Sequence, residues 1–130
     1  FQTSVEGIFA AGNVLHVHDL VDFVSMEAEQ LADSAAQYVK NGSLEECPLE
    51  IGTDANIGHT IPQRISGRRD VTLSMRVRGV FKNCRIVVRQ NGVEIAAKKM
   101  QKTLPAEMIQ IPLKADRIGE NGKLEVSVEC

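Results

Sequence analysis

His16-Val17-His18-Asp19 brings together the side chains best suited to chemistry in this sequence. Alternate residues of an extended segment point to one side, so His16 and His18 can face a single ion, and imidazole suits zinc or iron. A metal site needs at least a third ligand. None stands at a recognisable spacing from this pair, so no bound metal is expected. The plainer role is hydrogen bonding to the surrounding loop backbone.

Cys47, Cys84 and Cys130 are odd in number and far apart. They match neither a zinc motif nor a disulfide framework, which points to a reducing, cytoplasmic setting. Arg64, Arg68, Arg69, Arg76, Arg78, Arg85 and Arg89 form a basic series. It reads either as a solvated strand face or as a docking surface for a partner subunit or a second copy of the chain. With four Phe, one Tyr and no Trp, the chain has little on which bases could stack, so nucleic acid is not an expected partner. These residue types assign no catalytic residue.

The elements that must position these groups fall into two parts. Gly7-Ile8-Phe9-Ala10-Ala11 reads as an apolar strand that should be fully buried in a sheet. A loop and a helix over Asp22–Val39 follow. Val24, Ala28, Leu31, Ala32, Ala35 and Val39 recur at spacings of three and four and predict one apolar stripe. Asp19 and Asp22 favour the N-terminal end of that helix, and Lys40-Asn41-Gly42 stops it. Further on the period changes to two. Val71, Leu73, Met75 and Val77 alternate with Thr72, Ser74, Arg76 and Arg78, the pattern of a half-buried strand. Strand-like runs 84–90 and 93–97 flank Asn91-Gly92, whose type I′ turn requires positive φ at both residues. Runs 108–113 and 124–129 alternate again, and a weaker candidate lies around 57–65.

Charge divides the chain in the same place. Residues 1–47 hold one basic and eight acidic side chains, and residues 48–130 hold fourteen and nine, so net charges of −7 and +5 combine to −2. The expected organisation is a strand-loop-helix over residues 1–42, a linker over 43–56, and a β domain over 57–130. The fold class is mainly β: a small antiparallel β-sandwich, immunoglobulin- or fibronectin-like, behind an α/β remnant. No stretch is long and apolar enough for a membrane span.

Thr3, the strand ending in Ala10-Ala11-Gly12-Asn13, and the continuation GNVLHVHDLVDFV resemble the last FAD-binding segment of the pyridine nucleotide-disulfide oxidoreductase superfamily. They look most like the branch of FAD/NAD(P)-dependent oxidoreductases often discussed beside glycerol-3-phosphate dehydrogenases. The resemblance implies FAD as cofactor and NAD(P) as electron partner. It also implies that Gly12 and Asn13 bind the ribityl and phosphate region, and that the helix start at Asp22, Phe23 and Val24 faces the flavin pyrimidine edge. Position 13 is asparagine where most of that superfamily has aspartate, and its acceptor oxygen still suits a ribityl hydroxyl. His16 and His18 would then stand beside the flavin as proton donors or orienting groups. The dinucleotide fingerprint GxGxxG and any CxxC pair are absent from these residues. The chain is therefore expected to be the C-terminal part of a longer flavoenzyme, inactive and without FAD by itself, its β domain serving stability or assembly. The other function class is a non-catalytic β-sandwich interaction module.

The alternation at residues 71–78 carries a prediction of its own. Because a one-residue slip exposes a strand's whole apolar set, Met75→Asp should abolish the cooperative thermal transition followed by circular dichroism. Arg76→Asp, on the other face, should leave it nearly unchanged. Equal damage from both substitutions would contradict the facing.

Overall fold

Helix α1 (Val21–Asn41) organises the first of two units, Phe1–Glu45, within a computed structural model that describes residues 1–130. The helix starts after Leu20 with no side-chain cap. It ends at Gly42, left-handed at φ 75°, whose N–H donates to the Tyr38 carbonyl at 2.8 Å. Its buried side differs from the expected stripe. Glu27 is buried and Val24, Leu31, Ser34, Ala35 and Tyr38 are half-buried, whereas Ala28 and Ala32 are exposed and Val39 is 82% exposed. Val24, Leu31 and Ala35 belong to both, so the expected stripe is rotated toward Glu27 and Tyr38 rather than replaced. The packing of the preceding loop sets that rotation.

The expected buried strand is not formed. Residues 1–10 make a short hairpin, in which Gln2 bridges Phe9, Thr3 N–H donates to the Ile8 carbonyl at 2.7 Å and Ala10 N–H to the Phe1 carbonyl at 3.0 Å. Val5 and Ile8 stay 56% and 54% exposed. A strand buried on both faces needs neighbours at both edges, and this unit supplies one. Phe9 meets Tyr38 edge-on, ring centroids 6.0 Å apart, which fixes the hairpin on the C-terminal half of α1.

The second unit, Glu46–Cys130, is mainly β. Its strands are β1 (Leu49–Thr53), β2 (Ile57–Ile61), β3 (Arg64–Ile65), β4 (Val71–Val77), β5 (Phe81–Gln90), β6 (Val93–Thr103), β7 (Ile109–Leu113) and β8 (Leu124–Glu129). They form a five-stranded sheet, β3-β1-β8-β5-β6, and a three-stranded sheet, β2-β4-β7. Leu73, Met75, Val77, Ile109, Ile111 and Leu113 from the smaller sheet join Ile86, Val88, Leu124 and Val126 from the larger in one core. Burying each Leu or Ile side chain fully is worth roughly 1.5–3 kcal/mol. Val71 and Val128, near strand ends, are only half-buried.

Two features depart from the expected domain. β1 lies inside the stretch expected as linker. Its Leu49 and Ile51 are 3% and 7% exposed, and it pairs in parallel with β8, Ile51 opposite Leu124, so the sheet is not wholly antiparallel. The last two strands, β7 and β8, belong to different sheets, whereas the immunoglobulin order makes them neighbours in one. The Asn91-Gly92 turn forms as expected, at φ 53° and 81°, and joins β5 to β6. No helix is long and apolar enough to cross a membrane.

Gln90, 5% exposed at the end of β5, ties the 119–121 loop to the sheet. Its Nε2 donates to the carbonyls of Gly119 and Asn121 at 3.0 and 3.2 Å, and its Oε1 accepts the Gly119 N–H at 2.7 Å. Gln90→Leu strands these backbone groups and should cost about 1–3 kcal/mol. A lowered urea midpoint with unchanged slope is the expected reading, and an unchanged midpoint would contradict the staple.

Candidate functional site

The loop between the hairpin and α1 converges on one carboxylate. Glu27, in the second turn of α1, accepts the Gly12 N–H at Oε1 (2.8 Å), while its Oε2 lies 2.8 Å from His16 Nε2 and 3.1 Å from His18 Nε2. Both imidazoles thus reach the same carboxylate oxygen, although residues 16–18 form no strand and the His16 N–H turns back onto the Gly12 carbonyl at 3.2 Å. Their ring centroids are 4.4 Å apart and steeply inclined. The side chains of His16, His18 and Glu27 are 9%, 2% and 8% exposed, so the cluster is shut away from solvent. A carboxylate that takes the Gly12 N–H as an anion can only accept, so the proton between it and His16 sits on His16 Nε2. His18 is different. Its Nε2 is within reach of Glu27 but not aligned for a hydrogen bond, and neither of its ring nitrogens has a hydrogen-bond partner.

Burial pushes the Glu27 carboxyl up, yet the net shift is downward. Hydrogen bonds from His16 and the Gly12 N–H, the charge of His16 and a contact from His18 together outweigh the desolvation. Gly12 makes this possible by its backbone. At φ +75° it turns its N–H toward the helix, and an added Cβ would touch only Val24 Cγ1, at 3.6 Å.

The residues expected to bind cofactor are brought together in part. Gly12 is buried against Val24, in the first turn of α1. Asn13 is exposed, but its Oδ1 accepts the His18 N–H at 3.3 Å, so the oxygen expected to serve a ribityl hydroxyl already closes the loop. Asp22 is exposed in the first helical turn, and Phe23 is half-buried. The Phe23 N–H is not free, since it donates to the Leu20 carbonyl at 3.2 Å. Glu27 escaped the sequence reading. The signal was its position: three residues after Val24 and four before Leu31, it shares the helix side of those apolar residues.

The other candidate groups separate. Arg85 and Arg89 lie on β5 in the larger sheet and Arg76 on β4 in the smaller. Outward-facing residues of two sheets that enclose one core point away from each other, so Arg76 shares no face with Arg85 and Arg89. Arg85 pairs with Glu94 at 2.6 Å and Arg89 with Glu129, which neutralises them further. Cys47 and Cys130 are exposed and Cys84 is buried. The β5–β8 register sets Arg85 opposite Glu129, and hence Cys84 opposite Cys130. Burial, and then the Cys130 thiol, push the Cys84 thiol up, away from nucleophilic use.

No family model, curated protein or solved structure matches this chain. The geometry itself gives a test. Gly12→Ala has room for its methyl group but must hold a left-handed φ, at about 1–2 kcal/mol. Urea unfolding followed by the helical signal should register that loss, and an unchanged midpoint would mean that the turn is not fixed as described.

Proposed function

We propose that residues 1–42 close the FAD site of an NAD(P)-linked flavoprotein oxidoreductase, with the β unit serving stability or assembly. One observation carries the reading most: a buried Gly12 held left-handed against the first turn of α1, beside the exposed Asn13. Here the backbone can approach a ligand closely, next to a side chain able to hydrogen-bond a hydroxyl. A second observation supports it. Val14, Val17, Leu20 and Val21 are 84%, 66%, 59% and 74% exposed around the loop and the helix start. Apolar surface of this kind marks a place that a ligand or another part of a larger domain covers.

The residues fit the cofactor with two adjustments. FAD, when bound, supplies the two-electron chemistry between NAD(P)H and an acceptor. Asn13 offers its amide N–H groups, and the remaining lone pair of Oδ1, to ribityl hydroxyls. The positive end of the α1 dipole, rather than the Phe23 amide already bonded to Leu20, would serve a flavin carbonyl that gains negative charge on reduction. The alternative reading is a non-catalytic β-sandwich interaction module, for which Arg76 on one sheet and Arg85 and Arg89 on the other supply no common docking face.

The test is the full-length product of the gene that encodes this chain. Purified, it should show the paired visible bands of flavin. Asn13→Leu should weaken FAD retention by roughly 1–3 kcal/mol through unpaired hydroxyls. A colourless protein that takes up no added FAD would overturn the reading. Unchanged affinity in Asn13→Leu would remove Asn13 from the site.

A further inference from the structure

We infer that His16, His18 and Glu27 form a binding site for one divalent transition-metal ion, zinc by preference. The third ligand that the sequence lacked is Glu27, nine residues after His18 and brought back by α1. One ligand atom from each of the three side chains lies within 4.8 Å of the other two. Two imidazoles and one carboxylate are the three-ligand donor set of catalytic zinc rather than the four-ligand set of a structural site.

The separations suit a shared ion. Two ligands on one tetrahedral zinc stand roughly 3.3 Å apart. His18 Nε2 is 3.1 Å from Glu27 Oε2, with no hydrogen bond formed. A side chain only 2% exposed that leaves both ring nitrogens unpartnered is unfavourable. An ion at Nε2 removes half of that deficit. His16 needs a small adjustment, since its 2.8 Å contact opens by a few tenths of an ångström as its proton leaves to solvent. The Gly12 N–H on Oε1 orients the carboxylate from behind and leaves Oε2 for the ion, the supporting role that outer partners play at zinc sites.

Nitrogen donors exclude calcium and magnesium as natural occupants, and two imidazoles with a single carboxylate lie within the preferences of zinc. The inference does not rest on the flavin reading. All three ligands belong to the loop and the second turn of α1, and the ion needs no other group.

The experiment uses residues 1–130 carrying Cys47→Ser and Cys130→Ser, which remove the exposed thiols, with Co2+ as a visible probe. One equivalent of Co2+ should give the intense d–d bands of a four-coordinate ion, displaced by one equivalent of Zn2+. In the same protein, NMR should show paramagnetic shifts on the imidazoles of His16 and His18 and none on His59, which is exposed in β2. His18→Ala and Glu27→Gln, each with its helical signal retained, should weaken Zn2+ binding by about tenfold or more. Absence of the Co2+ bands, shifts confined to His59, or undiminished binding in folded His18→Ala would overturn the inference. Should both variants unfold, the NMR shifts in the chain with His16, His18 and Glu27 intact decide it.

Discussion

A carboxylate placed on the inner side of a helix must recover what it loses by leaving water. Glu27 does so through the Gly12 N–H and His16, with His18 close by. The arrangement of the first unit follows from that requirement. The loop turns left-handed at Gly12 to present its N–H, and the His16 N–H folds back onto the Gly12 carbonyl as both imidazoles reach Glu27. Asn13 then closes the loop onto His18. The helix face that packs inward is set by this polar cluster at one end and by the Phe9–Tyr38 contact at the other. The apolar stripe decides less.

Gly12 stands in both proposals. In the flavin reading its backbone would be the point of close approach for the cofactor, while its N–H is committed to the carboxylate that gathers the histidines.

The β unit obeys a different constraint. Two sheets enclose one apolar core, so every strand must keep its alternation in register, and polar groups serve the edges and outer faces. On the outer face of β5 the ion pairs run diagonally. Glu94 stands opposite Arg89 but pairs with Arg85, and Glu129 stands opposite Arg85 but pairs with Arg89. Each guanidinium thus reaches past the position of Val87, which is fully buried although it faces away from the core cluster. These arginines serve the sheet they stand on.

Much of the β unit was legible in the sequence because a period of two needs no partner to be recognised. Leu73, Met75 and Val77 alternate with polar residues, and Asn91-Gly92 dictates its own turn through local φ preferences. β1 was not legible. Leu49-Glu50-Ile51-Gly52-Thr53 is short and set among turn formers, and it is a strand only because β8 and β3 are there to pair with it. The division of strands between sheets was likewise a matter of long-range pairing that no local pattern encodes. In the first unit the helix, its stop and part of its buried side (Val24, Leu31 and Ala35) were written in the sequence, but Glu27 was not, since an acid among apolar positions reads as solvent-facing until donors surround it. By itself the sequence determined what local dihedral preference and periodicity determine: the helix, most strands and the turns. Only the tertiary structure decided that Glu27 meets His16 and His18, because a carboxylate nine residues further on is brought back by the helix and held by a hydrogen bond to Gly12, fifteen residues before it in the chain.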